Sequence, residues 1–186
     1  MAAMTRSQKF DALVIGSGIG GLTVAALLAK LYRKRVLVLE QHFTAGGFTH
    51  AFERKGKFHW DVGLHYVGDM GEGDTGRALF DYLSDGQLQW QPMPTPFEKF
   101  VYPDFTCIPE RLDQSWIGAR TPIQNLYLTG TDAFSLGIMG AMMGGVKTAG
   151  MIKGAIGFFQ IMSTVMQASK QQKKLSPELR PYTDKF

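Results

Sequence analysis

The chain has 186 residues, enough for one well-buried domain or two small ones, and its composition (45% hydrophobic, 19% charged) is that of a globular protein. Its net charge of +4 is mildly basic, and no basic stripe interleaved with aromatic residues occurs, which argues against a nucleic-acid partner. A single cysteine, Cys107, excludes an intrachain disulfide and a cysteine metal cluster. The four histidines show no zinc-type spacing, so we predict no metal site.

The N-terminal residues, MAAMTRSQKF, lack the apolar core of a secretory signal peptide. The apolar stretch that follows contains several glycines, which is atypical of a transmembrane helix. The sequence therefore predicts a cytoplasmic location. Within it, the protein is either free or attached peripherally to a membrane.

Residues 11–40 have the pattern of a strand, a glycine turn, a helix and a second strand. Ala12–Ile15 and Val36–Leu39 are short apolar runs, as buried strands are. Residues 22–31 are rich in alanine and leucine, which favours a helix. We therefore predict a βαβ unit with a parallel sheet.

The turn of this unit carries the spacing G-x-G-x-x-G, at Gly16, Gly18 and Gly21. The first glycine permits the tight turn, the second lets a pyrophosphate approach the backbone, and the third lets the helix pack on the strand. N–H groups at the helix N-terminus would bind the phosphates. Glu40 would accept hydrogen bonds from the adenosine ribose and repel a 2′-phosphate, which disfavours NADP. The alternative is a glycine-rich turn without a ligand.

Two further glycine clusters follow. Gly46 and Gly47 suit a cofactor longer than NAD that needs a second close backbone approach, with a simple turn as the alternative. Residues 125–129 are a third strand candidate, expected to lie beside Ala12–Ile15 in the sheet, and Gly130 follows them. The helix start after Gly130 is poor in side chains, which lets a flat ligand lie against backbone N–H groups; close helix packing alone is the alternative.

The other elements are a hairpin and two helices. Residues 49–54 and 57–61 are β-like runs joined by a lysine and a glycine, which predicts a hairpin. Residues 75–83 predict a short amphipathic helix. Residues 151–166 are apolar and are followed by lysines, which fits an interfacial anchor. A helix packed on the domain, or on a second subunit of a homo-oligomer, is an equal alternative.

Three segments resemble the phytoene desaturase, carotenoid isomerase and retinol saturase group of FAD oxidoreductases, and the retinol saturase branch most of all. They read LVIGSGIGGL, VLVLEQHFTAGGFTHAFERKGKFHWDVGLHYVGDM and TPIQNLYLTGTDAFSLGIMGAMMGG. The resemblance covers about residues 10–102 and 116–150. It implies an α/β fold: a Rossmann-like FAD-binding domain with a small parallel sheet, a β-hairpin excursion and a C-terminal apolar helix.

The resemblance also implies residue roles. Those implied for FAD are Gly16, Gly18 and Gly21 at the diphosphate, Glu40 at the ribose, Gly46 and Gly47 behind the flavin, Asp132 after Gly130 at the ribityl or diphosphate region, and Gly140 and Ala141 at the pyrimidine edge of the flavin. Many amine-oxidase relatives carry arginines where Thr44 and Phe48 stand, so that diphosphate contact is not expected. His65 and Tyr66 are candidates for the flavin face, with simple packing as the alternative.

Enzymes of this group are much longer, and their central substrate-binding section has no counterpart here. We therefore predict the two halves of an FAD-binding domain at 1–108 and 122–150, a junction at 109–121, and an apolar, basic helix and tail at 151–186. The expected function is a shortened FAD-dependent oxidoreductase of an apolar unsaturated lipid, by desaturation, saturation or isomerisation. The alternatives are a non-catalytic FAD-binding module or scaffold, and an NAD-only protein, against which the second strand and glycine cluster argues.

Overall fold

The computed structural model describes residues 9–63, 66–93, 118–135 and 137–175. The chain divides into two compact units. The first comprises Met1–Gly68 and Gly118–Met162, and the second comprises Asp69–Ile117 and Ser163–Phe186.

The first unit contains the βαβ arrangement. Strand β1 (Ala12–Ile15) pairs in parallel with β2 (Val36–Leu39), with Ala12 opposite Val36. Helix α1 (Ile19–Tyr32) connects them, and it buries Leu27 fully and Leu28 almost fully. The helix is apolar on nearly all sides, as a helix buried inside a domain is. The Rossmann-like unit and its small parallel sheet are confirmed.

The predicted third strand is not formed. Within 125–129, Tyr127 makes an isolated antiparallel bridge to Arg120, and the Leu128 N–H donates to the Ala119 carbonyl at 2.9 Å. Because these backbone groups bond within their own segment, they do not extend the ladder of β1. Among the described residues, the parallel sheet therefore has two strands.

The predicted hairpin is present as β3 (Ala51–Arg54) and β4 (Phe58–Asp61), with Phe52 opposite Trp60. All eight strand residues are exposed. Strand β3 starts two residues later than predicted, because Gly47–Thr49 forms a 3-10 turn before it.

Two long helices follow in the C-terminal part: α3 (Gly137–Lys153) and α4 (Gly157–Leu175). The predicted helix over 151–166 is thus divided between them. Gly154 has a φ of 121° and its N–H donates to the Gly150 carbonyl at 3.0 Å, which ends α3. No helix in the described ranges is long and apolar enough to cross a membrane.

Helix α2 (Thr75–Leu83) belongs to the second unit and confirms the short helix predicted there. It buries Leu79 and Phe80, as an amphipathic helix should. The Phe80 ring meets the Trp90 ring edge-on, with centroids 4.8 Å apart. This aromatic pair contributes to the apolar interior of that unit.

Helix α1, the segment at Gly130 and helix α3 pack together through four glycines, which we call the glycine seam: Gly20, Gly130, Gly144 and Gly145. A Cβ added to Gly20 would lie 2.5 Å from the Gly130 Cα, and one on Gly145 would lie 2.9 Å from the Thr23 Cβ. A Cβ on Gly144 would collide with the Gly130 carbonyl oxygen. The glycines in the middle of α3 therefore permit close packing against α1 and Gly130.

Candidate dinucleotide-binding site

The glycine turn lies between β1 and α1. Gly16 has a φ of 94°, which favours glycine, and its N–H donates to the Leu39 carbonyl at 2.7 Å. A Cβ on Gly21 would collide with the Gly16 carbonyl oxygen, so this position needs glycine for the helix to approach the turn. These two residues fix the turn in the geometry that the fingerprint requires.

The space beside Gly18 is open. A Cβ on Gly18 would meet no atom within 4 Å. Gly18 is the N-cap of α1, and no side chain in the described part of the chain caps the helix there. The N–H groups at the start of α1 thus have no side-chain cap, and the open space beside Gly18 leaves room for a phosphate there.

The glycine pair lies against this turn. A Cβ on Gly47 would approach the Gly18 Cα to 3.0 Å, and Gly46 has a φ of 121°. Two backbone segments distant in sequence thus meet at the mouth of α1. They form a cradle with little side-chain bulk, which fits a dinucleotide lying close to the backbone.

Glu40 is tied to both segments. Its Oε2 accepts hydrogen bonds from the Ser17 N–H (2.7 Å) and the Ser17 hydroxyl (2.6 Å), and its Oε1 accepts one from the His42 N–H (2.9 Å). The Ser17 Oγ in turn accepts from the Gly46 N–H at 3.0 Å. The Ser17 hydroxyl, then the His42 and Ser17 backbone N–H groups, lower the pKa of Glu40 to about 2.

Glu40 should make stability depend on acid pH. Its pKa falls from 4.5 to about 2 on folding, so its contribution is complete above pH 4.5 and is lost as the pH falls through 2. Glu40→Gln should therefore be less stable than the wild type at pH 6, with the difference shrinking at pH 3. Chemical unfolding at both pH values measures this. A constant difference would show that the ionised carboxylate does not stabilise the fold.

The second glycine cluster reaches the same end of α1. Gly130 lies against Gly20, and the Ala141 carbonyl oxygen would lie 2.9 Å from a Cβ on Gly20. Because α3 already begins at Gly137, Gly140 and Ala141 lie one turn inside the helix and are buried. Their N–H groups are thus further from the helix start than the sequence suggested, and a role at a flavin stays a prediction.

The other candidates are His65, Tyr66 and Asp132. His65 lies outside the described residues. Tyr66 is partly exposed and follows the hairpin, and its role stays a prediction. Asp132 lies in a 3-10 turn, Thr131–Ala133, directly after Gly130.

Sequence reasoning missed Ser17. It stands between Gly16 and Gly18 and is almost fully buried, at 2% exposure. A hydroxyl at this place in a phosphate-binding turn needs a partner, and the nearby acid supplies it. That signal was available in the sequence, because Glu40 ends the neighbouring parallel strand.

The comparisons with known proteins agree with this geometry. The model of the NAD(P)-binding Rossmann-like domain matches residues 14–83. An all-trans-retinol 13,14-reductase of Rattus norvegicus is 54% identical over 94 residues, which are 50% of this chain and 15% of that protein. A prolycopene isomerase of an Oncidium hybrid cultivar is 51% identical over 100 residues, 53% of this chain and 16% of that protein.

A protein described as an inactive all-trans-retinol 13,14-reductase, from Danio rerio, is 46% identical over 94 residues, 50% of this chain and 15% of its own. The chain therefore spans about one sixth of the length of the curated relatives it matches. No solved structure matches. The resemblance to retinol saturases and carotenoid isomerases is confirmed, and the chain carries a Rossmann-like unit for a dinucleotide cofactor.

Proposed function

We propose that this chain binds FAD and supplies the cofactor site of an oxidoreductase that acts on an apolar unsaturated lipid. The observation that carries the proposal is the contact of the glycine pair with the fingerprint turn, where Gly47 lies against Gly18. An adenosine diphosphate alone needs only the fingerprint turn and the ribose acid. A second backbone segment of glycine beside that turn suits a cofactor that continues beyond the diphosphate.

The residues that would hold FAD are those of the cradle. Gly16, Gly18 and the first turn of α1 would meet the diphosphate, and Glu40 the adenosine ribose. Gly46 and Gly47 would lie along the cofactor toward its flavin. FAD supplies the hydride chemistry when bound, and the chain contributes binding, orientation and electrostatics. The substrate class is proposed from the relatives, whose names specify all-trans-retinol and prolycopene.

The proposal predicts that the purified chain retains FAD or takes it up in a titration with saturable quenching of flavin fluorescence. The open space beside Gly18 and the ionised Glu40 are the physical reasons. NAD and NADP, added in competition, should displace FAD poorly. Uptake of NAD with no uptake of FAD would contradict the proposal and favour the NAD-only alternative.

A non-catalytic FAD-binding module is the second candidate. It is favoured by one observation: a relative described as inactive matches over as many residues, 94, as the rat reductase does. Similarity in this stretch therefore does not separate active from inactive proteins. Anaerobic mixing of the FAD-loaded chain with all-trans-retinol, with product analysis by chromatography, separates the two. Saturable product formation supports the enzyme, and FAD binding without product supports the module.

We also propose attachment to a membrane surface through the corner between α3 and α4. Three apolar side chains are exposed there: Ile152, Ile156 and Phe159. Lys153 lies among them in sequence, and each lysine near an anionic surface adds about 1 kcal/mol of binding. The corner thus combines apolar area with positive charge, as interfacial segments do.

Flotation with anionic vesicles should recover the chain with the lipid, less so at high salt. Ile156→Ser with Phe159→Ser should lose this binding. Leu88→Ser, which removes an exposed apolar side chain elsewhere, is the matched control. Unchanged flotation of the double variant would contradict attachment through the corner. A stable dimer without flotation would favour the alternative of a second subunit.

A further inference from the structure

We propose that Ser17 is a positioning residue that joins the ribose-binding acid to the glycine pair and so sets both cofactor-binding loops before the cofactor arrives. This inference rests on the proposed function. It deepens that function by assigning a role to a residue between the fingerprint glycines rather than to the glycines themselves.

The geometry places Ser17 at the centre of three segments. It lies in the turn after β1, its partner Glu40 follows β2, and its other partner Gly46 begins the glycine pair. The sequence separations are 23 and 29 residues. One buried side chain therefore links all the segments that form the cradle, and no other side chain in the described ranges is shown bonding to both Glu40 and the glycine pair.

The hydrogen bonds at Glu40 favour its ionised form, because the carboxylate accepts all of them. The Ser17 hydroxyl has one proton, which it donates to Glu40 Oε2, and this leaves its oxygen to accept from the Gly46 N–H. A protonated carboxyl would compete as a donor and weaken this arrangement. The charge of Glu40 is thus coupled, through Ser17, to the position of the glycine pair.

The same bonds assign different tasks to the two carboxylate oxygens. A carboxylate offers about four acceptor positions, two on each oxygen. Ser17 donates both of its hydrogen bonds to Oε2, whereas the hydrogen bond from the His42 N–H goes to Oε1, and the Gln41 backbone also lies near the carboxylate. Because the Ser17 bonds are confined to Oε2, we assign Oε1 to the ribose hydroxyl. It orients the acid as well as stabilising its charge.

The titratable groups near this network are few. Neither the turn at 16–18, β1, nor the first turn of α1 contains a titratable side chain. The loop after β2 contributes His42, whose ring nitrogen accepts from the Thr44 N–H, and His50, whose ring centroid is 5.0 Å from that of His42. Glu40 is the one carboxylate among these groups, so a change in the network in the acid range reports Glu40.

The test compares three variants at Ser17. Ser17→Ala removes the hydroxyl, Ser17→Cys keeps a similar shape with a weak donor, and Ser17→Thr keeps the hydroxyl. Alanine and cysteine should lower FAD affinity about tenfold, and threonine should restore it. In the ligand-free protein, the carboxyl resonance of Glu40 should titrate at higher pH in the alanine and cysteine variants. The Gly46 amide should lose its protection from hydrogen exchange.

The ligand-free readouts separate this inference from the proposed function. If the wild type binds no FAD, the proposed function fails, yet the Glu40 titration and Gly46 exchange still decide whether Ser17 links the segments. Unchanged titration and exchange in Ser17→Cys would overturn the inference, as would FAD affinity equal to the wild type in Ser17→Ala. Because cysteine is close to serine in shape, it decides the matter if the alanine variant does not fold.

Discussion

Gly18→Val should abolish FAD binding and leave the fold intact. The backbone of Gly18 has φ −61° and ψ 167°, a conformation that valine adopts readily. A Cβ there would meet no atom of the chain within 4 Å. It would instead occupy the space that the diphosphate needs. If valine displaces two charge-assisted hydrogen bonds of about 1.5–3 kcal/mol each, the affinity falls by about two orders of magnitude or more.

Two comparisons make this result specific. Gly118→Val is the matched control, because Gly118 also has open space and an ordinary φ, and it should retain FAD binding. Gly21→Val should instead unfold the chain, because its Cβ would collide with the Gly16 carbonyl oxygen. Full-strength FAD binding by a folded Gly18→Val variant would show that the diphosphate does not lie at this turn.

The contrast between these glycines explains why the fingerprint could be interpreted from sequence. Two glycines of the turn make their contacts within the βαβ unit itself: Gly16 with Leu39, and Gly21 with Gly16. The spacing of the glycines in the sequence was therefore enough to predict the turn.

The hairpin was likewise predictable, because Lys55 and Gly56 both adopt positive φ at its turn, as a tight turn of this kind requires.

The third strand was not predictable in the same way, because strand pairing depends on partners far along the chain. Residues 125–129 have a strand-like composition, yet Asn125 adopts a φ of 60° and begins the segment with a turn. The Leu128 carbonyl accepts a hydrogen bond from the Thr148 hydroxyl of α3 at 2.6 Å. A side chain of α3 thus holds residues 125–129 in an irregular conformation. Because this segment does not pair with β1, Ile15 at the end of β1 stays exposed.

Some features of the candidate site could be predicted from local sequence, and others could not. The glycines and Glu40 could be proposed from their spacing, because a strand, a turn and a helix hold them in a known relation. The approach of Gly47 to Gly18 depends on the path of the loop after β2, which no local pattern describes. The hydrogen bond from Gly46 to Ser17 depends on that same path. These two contacts became visible only with the fold, whereas the contact of Ser17 with Glu40 follows from the pairing of β1 with β2.

Gly144→Ala should destabilise the first unit strongly, although replacing a glycine inside a helix by alanine usually stabilises a protein. Alanine in place of a helix glycine normally gains up to about 1 kcal/mol from helix propensity. Here the added methyl group would collide with the Gly130 carbonyl oxygen and lie 3.0 Å from the Gly130 nitrogen. Both neighbours are backbone atoms, so they cannot rotate away. Overpacking of this kind costs about 1–3 kcal/mol, enough to reverse the sign.

The expected measurement is a fall in melting temperature of about 2–4 °C for each kcal/mol lost in a chain of this size. Gly118→Ala, where a Cβ meets nothing within 4 Å, is the control and should leave the melting temperature nearly unchanged. Because Gly20 of α1 lies against Gly130, the same change should also shift the first turn of α1 and weaken FAD binding. A more stable Gly144→Ala variant would mean that α3 does not lie as close to Gly130 as the glycine seam requires. The helix start that faces the diphosphate would then not depend on that seam.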